Sequence, residues 1–454
     1  MSGWGSWLSG ADTSATDSQP NFKAISDTPQ NALFAPLEKS DLEWTCAGGF
    51  TTETQVWYTI LDDGAFATSQ IIHSAIGLWY PQIQVTFKYF NPKTGQKIWK
   101  SASVSKFETP APQGTGRDKS KQHDKRSCKG EQFSVIHNGT ADGTESYTIE
   151  ANMDAEVQLS YTFTKSAKHA GWKLGAGPEG GKSFFGSNAA NPDGYVIHRF
   201  WPRTSTTGHI LIKGQAIDAK GQGMFIHAIQ GMRPNLVASR WNFANFQSED
   251  LAGVAAISME FTTTSDYGGP VGSGTPKSGS QISQQGGQPN RTRETRTVTI
   301  GSISVGDELV AVTAGTRHGK TAAPGNSDTQ VEHQKVKHDA ETGYTIPEQL
   351  HFVWDGPLLV AGKPQSEKVR ADLTADISAG KGLIERVDVL GEMPAMVRKV
   401  VNYVAGTKPY IWQSFLPAKL NLTLPESYKS DSASAGAHTV DGTWFGEFTF
   451  ISEP

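Results

Sequence analysis

Three histidines sit inside apolar runs: His73 in Gln70-Ile71-Ile72-His73-Ser74, His198 in Val196-Ile197-His198-Arg199-Phe200-Trp201, and His227 in Met224-Phe225-Ile226-His227-Ala228. An imidazole can donate, accept or carry a proton near neutral pH. Between apolar neighbours it therefore reads in two ways: a core histidine satisfied by a backbone or hydroxyl partner, or one of the few polar groups that orient an apolar ligand in a greasy cavity. Trp201, Trp241 and Asn242 adjoin these runs and add an aromatic wall and a neutral amide. His73, His198, Trp201, His227, Trp241 and Asn242 thus form the candidate set of ligand contacts. Arg199 and Arg203 flank Trp201, and Arg240 precedes Trp241, which suits stacking or pairing where two units of structure meet.

Signatures of the commoner enzymes are missing or out of context. The stretch Ala176-Gly177-Pro178-Glu179-Gly180-Gly181-Lys182-Ser183 has the spacing of a phosphate-binding loop. Such a loop must open a helix, whereas Phe184-Phe185-Gly186 and the turn Asn191-Pro192-Asp193-Gly194 follow here. The chain carries neither a Gly-x-Ser-x-Gly elbow nor a His-Glu-x-x-His motif. His318, His333 and His338 are loosely spaced and have no cysteine partners, so neither a metal site nor a cofactor is expected. No catalytic residue is assigned.

The elements that must position these side chains are short strands. Ile83, Val85, Phe87 and Tyr89 alternate with Gln82, Gln84, Thr86 and Lys88, the period-two pattern of a half-buried strand. Val157, Leu159, Tyr161 and Phe163 repeat it, as do Ile257, Met259 and Phe261 against Ser258 and Glu260, and finally Trp444, Phe448 and Phe450. Asp62-Asp63-Gly64, Asn91-Pro92-Lys93-Thr94-Gly95, Asn138-Gly139, Asp142-Gly143 and Asp441-Gly442 are suited to the tight turns between them. Many short strands with regular turns predict an all-β protein of closed or nearly closed antiparallel sheets.

A chain of 454 residues with 48 glycines and 23 prolines fits two such units, with domains expected at residues 42–203 and 204–454. A net charge of −4 gives no reason to expect nucleic-acid binding, and two cysteines, Cys46 and Cys128, do not make a disulfide framework. With no apolar run long enough to span a bilayer and no secretory leader, the reading is a cytoplasmic protein. Gly268 to Asn290, rich in Gly, Ser, Gln and Pro, reads as a flexible loop, and Arg317 to Glu341 as a second polar insertion. The basic stretch 110–130, with Arg117, Lys119, Lys121, Lys125, Arg126 and Lys129, reads as a solvated insertion, with anionic headgroups or a nuclear address as alternatives.

The first twenty residues stand apart. Met1, Trp4, Leu8 and Ala11 fall on one side of a helix, with Trp7 widening the stripe, ahead of a polar tether. Gly3, Gly5 and Gly10 each weaken a helix in water by roughly 1 kcal/mol relative to alanine, so this segment would fold only on a surface. Trp4, Trp7 and Leu8 are the candidate membrane contacts; a disordered tail, or a peptide that tucks into the protein's own barrel, are the alternatives.

The histidine runs carry a resemblance. Gln70-Ile71-Ile72-His73-Ser74, His198-Arg199-Phe200-Trp201-Pro202-Arg203, Gly223 through Met232 and Trp241-Asn242-Phe243-Ala244-Asn245-Phe246-Gln247 resemble the signature segments of the fungal survival factor family, over roughly Trp44 to Thr264 and more loosely from Thr297 onward. The resemblance implies two tandem lipocalin-like β-barrels. It also implies ceramide binding, with non-vesicular transfer from the endoplasmic reticulum to the early (cis) Golgi in support of sphingolipid synthesis and of survival under oxidative or cold stress. Membrane contact in that family runs through an acetylated N-terminal amphipathic helix, so the implied location is cytoplasmic and peripheral on both membranes, with the nucleus as a further compartment. This chain departs by beginning Met1-Ser2-Gly3, which points to removal of Met1 and acetylation of Ser2. The competing expectation is a pericyclase or hydratase, in which the same histidines and tryptophans would act on a polyene or polyketide.

Overall fold

A computed structural model describes residues 21–76, 81–113, 122–268, 295–319, 329–392 and 408–452. The candidate membrane contacts Trp4, Trp7 and Leu8, most of the Gly268 to Asn290 stretch, and Arg117, Lys119 and Lys121 lie outside these residues.

Nine of the fifteen antiparallel strands of the first sheet form its main run: β1 (Phe50–Leu61), β2 (Phe66–Ile76), β3 (Gln82–Asn91), β4 (Gln96–Ser103), β5 (Phe133–Gly139), β6 (Glu145–Asn152), β7 (Val157–Lys165), β8 (Gly194–Ile212) and β9 (Gly221–Gln230). They lie in the order β4-β3-β2-β1-β9-β8-β7-β6-β5, so that the first strand pairs with the last. The sheet curls on itself, and the isolated bridge between Glu108 and Lys129 spans the gap between β4 and β5. Lys100 on β4 reaches Asp154 and Glu156 across the same seam.

Eight of the ten strands of the second sheet form its barrel: β10 (Arg240–Ser248), β11 (Val254–Thr262), β12 (Arg296–Val305), β13 (Glu308–His318), β14 (Gln349–Val360), β15 (Lys363–Asp376), β16 (Tyr410–Leu424) and β17 (Gly436–Phe450). Their order, β13-β12-β11-β10-β17-β16-β15-β14, closes through the pairing of Ala311 with Leu358. The result is a closed barrel with the sequential, first-to-last topology of lipocalins. The expected all-β, tandem lipocalin-like architecture is therefore present.

Three expectations need correcting. The chain does not change barrel at residue 203, because β8 and β9 remain in the first sheet and β9 pairs with β1 along ten residues. The crossing falls at residues 231–239. Asn138-Gly139 and Asp441-Gly442 are not turns: both pairs lie in ladders, opposite Ser146 and Glu145 and opposite Lys419 and Ala418. Gly442 instead serves close approach, since a Cβ there would fall 2.5 Å from the Phe246 ring and 2.6 Å from a backbone oxygen. Lastly, the second insertion is partly ordered, for Gln330–Gln334 forms a strand on β14.

The described apolar side chains form three clusters. One fills the first barrel, with Trp57, Tyr147, Trp201 and Phe225 packed in tilted and edge-on contacts at centroid distances of 4.9 to 5.4 Å. A second lines the closed barrel around Trp354, Trp412, Trp444 and Phe448. The third lies between the barrels, where Phe66 stacks on Phe445 at 4.4 Å and Tyr58 meets Phe243. Arg203 crosses this junction to the backbone oxygens of Ser248 and Val254, and residues 22–27 strap both barrels together, Phe22 packing on Phe185 and Phe261. The pairing role expected of Arg203 is thus seen.

Candidate functional site

The two barrels present equivalent ends. In the first, the start of β1, the end of β2 and the end of β9 bring together Glu53, His73 and His227; in the second, the start of β10, the end of β11 and the end of β17 bring together Asn242, Glu260 and Phe448.

The end of the first barrel is a plug of charge. His227 Nε2 lies 2.8 Å from Glu53 Oε1 and its Nδ1 lies 2.8 Å from the carbonyl oxygen of Asp41. Both ring nitrogens are thus engaged, one by a carboxylate and the other by a backbone carbonyl. Burial alone would push the Glu53 carboxyl up, but the hydrogen bond and charge of His227 and the donors of Thr45 outweigh it and hold the group below its ordinary value. Glu53 also accepts the Thr45 and Cys46 amides at 2.8 to 3.1 Å. Asp41, on the single-turn helix Lys39–Leu42, takes Lys173 at 2.9 Å and Arg199 at 3.2 Å. Glu53 and His227 are wholly buried, and Asp41, Lys173 and Arg199 nearly so. Residues 38–46 therefore seal this end of the barrel with charge-assisted bonds, the strong kind in a low dielectric. His73 stands beside the plug with its ring against Phe107 and its Nδ1 unbonded, and burial holds its pKa down.

The equivalent end of the closed barrel opens on a cavity with an aromatic floor. Glu260 is buried and spent on Arg317 (2.6 Å), Thr299 (2.6 Å), Asn242 (3.0 Å) and the Val331 amide (3.0 Å). His333 Nε2 donates to Asn242 Oδ1 at 2.7 Å, and burial pushes its imidazole down to about 3, so it is uncharged. Beyond these groups, Phe448 and Trp412 stack at 4.9 Å with planes 9° apart. They floor a cavity of about 380 Å³, walled also by Ile346, Ile377, Leu383 and Ser414 and rimmed by Lys337, Asp339, Glu348 and Arg386. A second cleft of about 590 Å³ lies on the outside of the first barrel, lined chiefly by polar groups such as Glu131, Ser134, Glu150, Gln158 and His209. Among the described residues no cluster of His, Cys, Asp or Glu is arranged to hold a metal ion.

The structure separates the six residues singled out in the sequence. His73, Trp201 and His227 point into the first barrel, His198 and Trp241 meet edge-on at 5.7 Å between the barrels, and Asn242 lies inside the second. Burial pushes the His198 imidazole down to about 4. Arg199, expected at the junction, is turned into the plug, and Arg240 bonds Thr262 within the second barrel. Sequence reasoning missed Glu53, Asp41 and Glu260, and it missed Trp412, Ser414 and Leu383. Alternation assigns Ser258 and Glu260 to the solvent face of β11. In fact they point into the barrel while Ile257 and Phe261 pack against the other barrel, so both faces are covered.

Comparison with known proteins gives a consistent result. The model of the Svf1 family matches residues 5–452. The ceramide-binding protein svf1 of Aspergillus fumigatus is 30% identical over 446 residues, covering 95% of this chain and 94% of that protein. The ceramide-binding protein svf1 of Schizosaccharomyces pombe is 28% identical over 422 residues, covering 92% and 90%. Among solved structures, CghA covers 96% of this chain and 98% of its own at 10% identity and a TM-score of 0.48. Kievitone hydratase from Nectria haematococca covers the same shares at 12% identity and 0.43.

Proposed function

The chain belongs to the Svf1 family, and on that premise we propose that it is a ceramide carrier. It takes ceramide from the endoplasmic reticulum and delivers it non-vesicularly to the cis-Golgi for complex sphingolipid synthesis, supporting survival under oxidative and cold stress. The observation that carries this reading is the near full-length match to relatives named for ceramide binding. The physical chemistry is favourable. A ceramide has two long chains and an uncharged head, so shielding several hundred square ångströms of it yields on the order of 10 kcal/mol at about 25 cal/mol per Å².

No catalysis is assigned. A general acid or base must reach its substrate, whereas Glu53, His227 and Glu260 are buried and committed to partners within the protein. Lipid extraction and native mass spectrometry of the purified protein test the reading. Ceramide should co-purify; a polyketide-like product in its place, or no uptake of added ceramide, would overturn it.

The carrier works in the cytoplasm and touches the two membranes through Trp4, Trp7 and Leu8. Among the described residues no helix is long and apolar enough to cross a bilayer. A short interfacial segment binds weakly enough to leave again. Replacing Trp4, Trp7 and Leu8 by aspartate should release the protein from membranes in fractionation, and an unchanged distribution would refute that role.

A further inference from the structure

Resting on the ceramide reading, we infer that the lipid's polar head is held in the cavity at the end of the closed barrel, between Trp412, Phe448, Leu383 and Ser414, and not in the first barrel. The argument begins from the equivalence of the two ends. In the first barrel, residues 38–46 cross that end, and every ionised group there is bonded to another part of the plug. Opening it would leave buried charges unpaired, which costs several kcal/mol. In the second barrel the same end carries a cavity of about 380 Å³, within the size range of small-molecule sites.

The lining matches a neutral amphiphile. Its floor is the stacked pair Trp412 and Phe448, with Ile346, Ile377 and Leu383 on the walls. Ser414, almost wholly buried, presents a hydroxyl that suits an amide or a hydroxyl of the head. The four charged side chains at the rim are two cations and two anions. Lys337 pairs with Glu348 at 2.7 Å, and Arg386 pairs with Glu341 and approaches Asp339 at 4.0 Å. Rim cations already paired with carboxylates offer hydrogen bonds without a free positive charge to select an anionic head. Directly behind the floor, Asn242 and His333 are bonded to each other.

One wall also communicates with the other barrel. The strand Leu383–Asp388 pairs with β16, and it is gripped from the first barrel by Lys88 on Glu385 and by Lys97 on the Ile384 carbonyl at 2.7 Å. The cavity is thus completed by contacts between the barrels.

The test uses the full chain with a ceramide carrying a photoactivatable diazirine near its head, followed by mass-spectrometric mapping of adducts. Adducts should fall on the peptides that contain Ile346, Ile377, Leu383, Trp412 and Phe448. Ser414→Trp, which fills the space, and Leu383→Glu, at the half-exposed wall, should each weaken ceramide binding by about tenfold or more at an unchanged melting temperature. Leu383→Glu remains informative if the bulkier variant fails to fold. An equally tight competition by ceramide 1-phosphate would contradict the neutral selection. Wild-type binding with adducts confined to the first barrel, or with both variants unaffected, would overturn the site while leaving the ceramide reading intact; failure of the wild-type protein to take up ceramide overturns both.

Discussion

The same end of the two barrels is built in opposite ways. Around Glu53 the chain crosses the opening and fills it with Lys173, Arg199, an imidazole and two carboxylates held by hydrogen bonds, while around Asn242 it leaves aromatic rings facing a cavity. The seams differ too, because β13 and β14 join directly whereas β4 and β5 are linked only through the segments that flank them, by the Glu108–Lys129 bridge and the Glu131 amide on the Ser105 carbonyl among the described residues. A barrel whose sheet closes on itself can leave its end open. The one with the looser seam has its end tied shut.

The largest expected effect tests the plug. Glu53→Ala leaves His227 and two backbone amides without their acceptor inside the protein, and should cost about 3–5 kcal/mol in urea denaturation. Glu260→Ala should cost less, because its partner Arg317 is 16% exposed and can turn to water. A reversed ranking would break the proposed contrast. Next comes the junction: Phe66→Ala removes the ring stacked on Phe445 and should cost about 3 kcal/mol, splitting a single unfolding transition into two. If one transition persists, the barrels are coupled chiefly by Arg203 and the strap at residues 22–27. The smallest effect, taken per pH unit, is the pH dependence. With its folded pKa held near 4, His198 stays neutral while the unfolded ring takes up a proton, so its contribution is complete above about pH 6.5 and declines toward pH 4, by at most about 1.4 kcal/mol per unit. Melting temperatures of His198→Phe measured across that window should fall less steeply than those of the wild type.

Much of the fold is legible in the residues, and the reason is local. The strand around Val157 to Phe163 alternates cleanly because one face meets an apolar barrel interior and the other a more polar surface. The turns at Asp62-Asp63-Gly64 and Asp142-Gly143 are recognisable because their glycines adopt positive φ. Where a strand is covered on both sides the rule inverts, as at β11, whose apolar face meets the other barrel. The glycine rule fails at Asp441-Gly442, where the residue answers to a neighbouring ring instead of a bend. The site was less legible still. His73, His198 and His227 are conspicuous as polar residues in apolar runs, yet each lies in a different environment, and Trp412 and Ser414 look like ordinary strand residues.

Period-two alternation and turn chemistry are properties of neighbours along the chain, so the sequence alone determined that this protein is two antiparallel barrels with apolar interiors. Which barrel end is sealed and which is open depends on a segment near residue 40 meeting a strand near residue 227, and on Leu383 and Trp412 facing Ile346 across a barrel mouth. Contacts so distant in sequence are set only when the sheets close, and that decision belonged to the tertiary structure.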